Sequence, residues 1–321
     1  MKDSFERTID YLRLSITDKC NLRCIYCMPF AKISSKESLS YEALLRIVHV
    51  AVKLGVRKIR ITGGEPLARE GIISFIEQLS AIDGLEDISI TTNGLMLESL
   101  ARPLFHVGLK RVNVSLDSLK NDRYRQITRK GALSQVLKGI QEAQQAGLNP
   151  IKINNVPVRG INDDEIETFA RLTLNTPFHI RFIEFMPIGS NTWTPMNYLP
   201  LKEIKKTVEK VAPLKPVKLR RNGPARYYRF PHASGVIGFI SALTHHFCDE
   251  CNRLRVTCDG KIRPCLFSDT EIDLKPALSH SNPDREIEKL LRLAIQIKPE
   301  GHILSEKGFK IPVRPMSEIG G

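Results

Sequence analysis

Nowhere in the 321 residues do eighteen apolar side chains follow one another, and Met1 to Thr8 mix charge and polarity, so neither a membrane span nor a secretory leader is expected. Aromatic side chains are scarce, 7% with a single tryptophan, which leaves little from which to build a base-stacking surface. Cysteine is missing from the 220 residues between Cys27 and Cys248, and the total of seven is odd, so a disulfide framework is not the organising device. Internal repeats and low-complexity tracts are also lacking. A cytoplasmic protein is the expectation.

What is present is an ordinary globular composition, 42% hydrophobic and 26% charged, with a formal net charge of +13. Such an excess calls for an anionic partner, either nucleic acid or a highly charged small ligand.

Six short β-branched runs alternate with helix-length amphipathic segments: Tyr11 to Thr17, Lys58 to Thr62, Ile88 to Thr92, Arg111 to Leu116, Ile151 to Val156 and His179 to Phe185. The 3.6-residue period predicts helices over Tyr41 to Leu54, Ile72 to Ile82, Leu95 to Val107, Leu133 to Ala146 and Asp164 to Leu174, the last capped by Asp163 or Asp164. At period two the runs are polar on one face and aliphatic on the other. Leu12, Leu14 and Ile16 alternate with Arg13, Ser15 and Thr17; Ile59 and Ile61 with Lys58, Arg60 and Thr62; Ile151 and Ile153 with Lys152 and Asn154. Ordinary eight-stranded barrels fill their lumen with branched apolar side chains, and open parallel sheets are apolar on both faces. A wet, basic face therefore points to a partial (β/α)6 TIM-type barrel with a polar lumen that holds a large charged ligand.

The barrel is expected to end near residue 212, with a C-terminal α+β extension over 213–321 closing the lateral opening. That extension contains a basic run from Lys215 to Arg229, a strand Val236 to Ser241, a hairpin Arg253 to Pro264, a helix Arg285 to Ile297 and a terminal Gly320-Gly321. Asp259-Gly260 is the dipeptide of a two-residue turn, which pairs Cys258 with Lys261, Val256 with Arg263 and Leu254 with Cys265. This register returns Cys265 towards Cys251 and leaves Cys258 at the tip, a half-exposed residue that binds no iron.

The cysteines fall into two triads. Cys20, Cys24 and Cys27 follow the first strand, where the active-site loops of a βα barrel lie. Cys248, Cys251 and Cys265 sit in the last quarter. Three thiolates suit a cubane with one open iron, whereas structural zinc and ordinary ferredoxin sites use four ligands. His245-His246 beside Cys248 reads as a spare polar pair.

The spacing C-x3-C-x2-C, with Tyr26 before the last cysteine, resembles the signature of radical S-adenosylmethionine (SAM) enzymes, and Gly63-Gly64-Glu65-Pro66 resembles their glycine-rich motif. Together with Cys248-x2-Cys251-x13-Cys265, Asn252 to Arg255 and Gly320-Gly321, the whole chain resembles the GTP 3',8-cyclase family, which begins molybdenum cofactor biosynthesis. The resemblance implies a lyase with two 4Fe-4S clusters, held by Cys20, Cys24, Cys27 and by Cys248, Cys251, Cys265. It implies S-adenosyl-L-methionine contacts at Tyr26, Gly64, Ser115 and Met186. GTP contacts would be Arg13, Arg60, Thr91, Lys152, Arg253, Leu254 and Arg255, with Lys58 and Arg181 as further ones. Arg13, Arg253, Arg255, Gly320 and Gly321 would take part in catalysis. Implied partners are an electron donor such as flavodoxin or ferredoxin, cyclic pyranopterin monophosphate synthase downstream, and a second copy in a homodimer; neither nucleic acid nor membrane is expected. Two rivals stand beside it: a radical SAM peptide-modifying enzyme with an auxiliary cluster, and a non-enzymatic nucleic-acid-binding metalloprotein.

Overall fold

Alternation along the strands decides which face of the sheet meets the helices. The computed structural model, which describes residues 1–28, 37–189, 191–219, 223–302 and 311–320, has that arrangement. In chain order its first part holds β1 (Tyr11–Ser15), α1 (Tyr41–Lys53), β2 (Lys58–Thr62), α2 (Ile72–Ser80), β3 (Asp87–Thr92), α3 (Leu97–His106), β4 (Arg111–Ser115), α4 (Asn121–Thr128), α5 (Leu133–Gln145), β5 (Ile151–Asn155), α6 (Ile166–Asn175) and β6 (His179–Ile183). There follow α7 (Leu201–Glu209), β7 (Lys215–Val217), β8 (Arg226–Arg229), β9 (Val236–Ile240), β10 (Arg253–Val256), β11 (Lys261–Arg263), β12 (Ile272–Asp273), α8 (Lys275–Leu278), α9 (Pro283–Gln296) and α10 (Met316–Ile319).

The six expected strands pair in parallel in chain order, with Leu12 beside Ile59, Ile59 beside Ile88 and Ile90 beside Val112. Their aliphatic members Leu12, Leu14, Ile59, Ile61, Ile90, Val112 and Val114 are wholly buried beneath the helices. The helices supply the other half of this core; α1, for instance, buries Leu44, Ile47, Val48 and Ala51 and starts where Ser40 Oγ accepts a hydrogen bond from the Ala43 N–H at 3.2 Å.

Two strands of the C-terminal region join the same sheet. β10 pairs in parallel with β1, and β9 in parallel with β6. The parallel arc is thus β10-β1-β2-β3-β4-β5-β6-β9, extended at either edge by antiparallel strands to twelve in all, and it does not close into a ring. The C-terminal region lengthens both edges of the barrel and, through residues such as Cys248, Cys265 and Lys298, supplies part of the cavity wall. Among the described residues no helix is long and apolar enough to cross a membrane.

Three local expectations need correction. The hairpin is shifted by one residue: Arg255 pairs with Arg263 and Val256 with Ile262. The loop holds three residues, Cys258 to Gly260, because Gly260 takes a left-handed φ of +83° and Thr257 N–H bonds to the Lys261 carbonyl at 2.9 Å. Cys258 is consequently buried rather than half-exposed, at 2%. Neither Asp163 nor Asp164 caps α6, since a short 3-10 turn, Asp163–Glu165, precedes it. Asp163 Oδ1 accepts instead from Gly160 N–H, and Asp164 pairs with Lys120 and Arg123. Finally, α4 was not foreseen, because only Tyr124, Ile127 and Thr128 of its eight residues are buried and its periodicity is weak.

Candidate active site in the barrel lumen

The loop after β1 turns tightly around the first triad, with the N–H groups of Cys27 and Met28 both donating to the Cys24 carbonyl, at 3.1 and 2.9 Å. The adjacent Gly63-Gly64 segment, just past the end of β2, presses directly on this loop. Gly64 N–H donates to Thr17 O at 2.7 Å and Glu65 N–H to Lys19 O at 2.8 Å. A Cβ at Gly63 would lie 2.5 Å from Thr17 O, and one at Gly64 2.3 Å from Lys19 O, so only glycine permits the approach. The Glu65 carboxylate, buried and pushed up to about 7 by desolvation, accepts from Thr92 Oγ1 and from the N–H groups of Leu67 and Asn93. Asn93 in turn donates to Asn21 Oδ1 at 2.7 Å, within the cysteine loop.

Burial, neighbouring thiols and Asp117 push the thiols of this triad upwards: Cys24 rises well above its ordinary value and Cys27 to about 12. Among the described residues only Arg23, beside Cys20, offsets the charge of three thiolates so placed, and a bound iron cluster would provide the rest. The residues therefore fit the cluster.

The second triad is arranged otherwise. Cys248 opens a short turn, Cys251 precedes β10, and Cys265 follows β11. Lys298 Nζ donates to the carbonyls of Arg253 and Pro264, at 3.0 and 2.7 Å. Burial raises Cys251, but Arg253 and Lys298 outweigh it and bring the thiol down to about 6. This triad also fits a three-ligand cluster. His246, Cys248 and His302 hold their potential ligand atoms within 4.8 Å of one another, with His246 exposed and His302 buried. Lys298 and His302 lie far from any motif and carried no signal in the sequence.

Both triads face one cavity of about 320 Å³. Its wall includes Arg13, Arg60, Thr91, Arg181, Arg253 and Arg255, and also Tyr26, Gly64, Ser115 and Met186. Thr91 Oγ1 is buried there with no hydrogen-bond partner among the described residues. Burial and mutual repulsion lower the cations: Arg13 well below its ordinary range, Arg255 to about 9, Arg181 to about 10 and Lys152 to about 6. Such crowding is relieved by an anion. Arg181 is held by Asn154 Oδ1 at 2.8 Å and Asn113 Oδ1 at 2.7 Å. Asp117, which accepts the Tyr26 hydroxyl and is pushed up to about 6 by burial, lies on the same wall.

Not every expected contact is on that wall. Lys152 lies behind it, buried beside Arg181, Arg111 and Arg60. Lys58 pairs with Asp10 at 2.7 Å and lines a second cavity of about 360 Å³, which shares Arg253 and Phe247 with the first. The Leu254 side chain is wholly buried in the aliphatic core, so only its backbone can address the lumen. Gly320 is buried, and its carbonyl accepts from Arg255 Nη1 at 2.9 Å, so the tail is not a frayed end; Gly321 lies outside the described residues. Within the basic run, β7 and β8 form an antiparallel ribbon at the sheet edge, while residues 220–222 lie outside the described residues.

The Radical SAM superfamily model matches residues 14–173, and the Molybdenum Cofactor Synthesis C model residues 178–304. The chain is 52% identical over 326 residues to the GTP 3',8-cyclase of Thermodesulfovibrio yellowstonii, and 49% over 325 residues to that of Moorella thermoacetica, with all of each chain covered. In fold it is similar to Streptococcus suis SuiB bound to S-adenosylmethionine, at a TM-score of 0.63 and 14% identity over 89% of this chain and 68% of that one. It is also similar to anSMEcpe with bound AdoMet, at 0.56 and 17% over 87% and 82%.

Proposed function

The chain belongs to the GTP 3',8-cyclase family of radical SAM enzymes, and on that premise we propose that its two cysteine triads serve opposite ends of one reaction chamber. The enzyme is a lyase that converts GTP to (8S)-3',8-cyclo-7,8-dihydroguanosine 5'-triphosphate, the first step of molybdopterin cofactor biosynthesis. The observation that carries the site assignment is the cavity shared by both triads and five arginines.

Its cofactors are two 4Fe-4S clusters and S-adenosylmethionine, which when bound supply the electron and the 5'-deoxyadenosyl radical that takes the C3' hydrogen of GTP. Cys20, Cys24 and Cys27 hold the first cluster, and Cys248, Cys251 and Cys265 the second. Gly64, Tyr26, Ser115 and Met186 hold S-adenosylmethionine, with Asp117 fixing the Tyr26 ring through its hydroxyl. Arg13, Arg60, Thr91, Arg181 and Arg253 bind GTP and clamp its triphosphate from the wall, Lys152 lends its charge from behind, Lys58 reaches in from the second cavity and Leu254 contributes its backbone. Arg255 joins the substrate side to the tail through its bond to Gly320. The protein's contribution is orientation, charge compensation and exclusion of water from the radicals.

Residues 1–212 form the radical-generating part and 213–321 the part that carries the second cluster. The electron donor is a flavodoxin or ferredoxin, the product passes to cyclic pyranopterin monophosphate synthase, and the protein acts in the cytoplasm as a homodimer. Anaerobic incubation of reconstituted protein with S-adenosylmethionine, a strong reductant and GTP tests the reading. A product with the mass of GTP but a changed retention, formed with 5'-deoxyadenosine, is expected. Deoxyadenosine formed while GTP stays unchanged would overturn it in favour of another radical SAM substrate, such as a peptide.

A further inference from the structure

Gly320 is buried against β1 and β2, where a Cβ would come within 2.4 Å of Thr62 Oγ1 and 2.9 Å of Ser15 Cβ, and where its φ is +85°. The helix that delivers it, α10, has four residues, too few to hold itself in place. What anchors the tail lies just upstream. Arg314 donates through Nη1 and Nη2 to the two oxygens of Asp259, at 2.7 and 3.0 Å, and through Nη2 to Glu271 Oε2 at 3.1 Å, with its Nε forming an ion pair to Glu271 Oε1 at 3.0 Å. The Arg314 and Asp259 side chains are only 11% and 7% exposed, so water screens the contact little. The Val313 N–H adds a bond to Asp269 Oδ1 at 3.0 Å, and the Pro312 carbonyl accepts from Gly189 N–H at 2.8 Å.

Asp259 is the middle residue of the loop between β10 and β11, and Arg255 lies on the first strand of that hairpin. The tail is therefore tied to one hairpin at two points, Arg314 to Asp259 near its base and the Gly320 carbonyl to Arg255 near its end. Two fixed points set how far the tail reaches into the lumen.

We propose that Arg314, gripped by Asp259 and Glu271, is a positioning residue that docks the C-terminal tail and so sets Gly320 against Arg255; this rests on the reading of Gly320 as part of the active site. Asp259, which the hairpin reading treated as a turn residue, is then the receptor for the tail as well.

The test uses holoenzyme carrying Arg314→Ala, Arg314→Lys or Asp259→Asn. Iron content and 5'-deoxyadenosine formation should match the parent, while amide-exchange protection over residues 311–320 should fall about tenfold to a hundredfold, the loss of one charge-assisted bidentate contact. Cyclised nucleotide formed per deoxyadenosine should fall in step. Arg314→Lys should lie between Arg314→Ala and the parent, because it keeps the charge without the fork. Unchanged tail protection in Arg314→Ala would overturn the proposal, and so would loss of iron, which would assign the residue to the fold of the second cluster site. Gly320→Ala separates the two readings. If that variant cyclises GTP normally while Arg314→Ala still releases the tail, the role of Gly320 fails and the docking contact stands.

Discussion

Cys24 and Cys27 are pushed upwards by burial, by neighbouring thiols and by Asp117, whereas Cys251, also buried, is drawn down to about 6 because Arg253 and Lys298 stand beside it. One cavity thus contains two ways of preparing a metal site. At Cys24 and Cys27 no described cation lowers the thiols, so the thiolate charge there would be met by the incoming metal, and loading releases protons from thiols that hold them tightly. At Cys251 of the second, protein cations have met part of that charge beforehand, while burial holds Cys248 up. The same Arg253 that lowers Cys251 faces the cavity, so the second cluster and an anionic substrate draw on one set of charges. On the proposed function, the division suits a first site that would handle electrons and a second that would handle a nucleotide.

The largest effect should come from Cys24→Ala. It should abolish S-adenosylmethionine cleavage and leave about half the iron, since the second triad supplies its own ligands. Iron analysis of the folded variant checks this, and complete loss of iron would mean that the two sites do not load independently.

Arg253→Ala sharpens the contrast. Both clusters should remain, but GTP binding should weaken by about 1.5 to 3 kcal/mol with the loss of one charge-assisted contact, as read by equilibrium binding. In metal-free protein, removing this cation should also move the alkylation midpoint of Cys251 up from about 6 towards the usual thiol range, with Cys27 unaffected. Mass-resolved labelling against pH would expose the asymmetry as false if Cys251 reacted alike in both proteins.

Lys152 offers a smaller, signed effect. Desolvation, then Arg181 and Arg111, lower it to about 6 from 10.5, so the folded protein binds fewer protons than the unfolded chain between those values. Stability from this group accordingly rises with pH across that window, and below about 6 the full cost of the buried charge remains. GTP should restore the ammonium form and take up a proton near neutral pH. Calorimetry in buffers of different ionisation enthalpy should detect that uptake, and Lys152→Met should remove it.

The smallest effect belongs to Cys258→Ser. Cys258 is buried and pushed up to about 11 by desolvation and by Asp18, and it does not line the cavity. Full iron and full cyclase activity are expected, with a stability change of about 1 kcal/mol in denaturant unfolding. Cys265→Ser should lose the second cluster.

Much of this was legible because it is local. Residues two apart on a strand must share a face, so the polar side of the lumen, Arg13 and Arg60 included, could be read directly. What escaped depends on pairings between distant parts of the chain. Nothing in Val236 to Ile240 or Arg253 to Val256 announces that these strands join β6 and β1 in parallel. The hairpin slipped by one residue because Asp-Gly suits both a two-residue turn and a three-residue loop ending in left-handed glycine, and the choice rests on Thr257 pairing with Lys261. Lys298, His302 and Arg314 act through contacts with segments far away in sequence, where spacing is silent.

The pairing of β1 with β10 also bears on how the chain reaches its native state. Leu12 is synthesised long before its neighbour Leu254. The β6 edge stays bare until β9 arrives and the β1 edge until β10 does, each with unpaired N–H and C=O groups available to another chain. Such long-range parallel pairing is slow to form, and partly folded chains with open edges are the ones that aggregate. The β10–β11 hairpin is therefore also the late cover of the β1 edge, and its arrival ends the interval in which that edge is open to another chain.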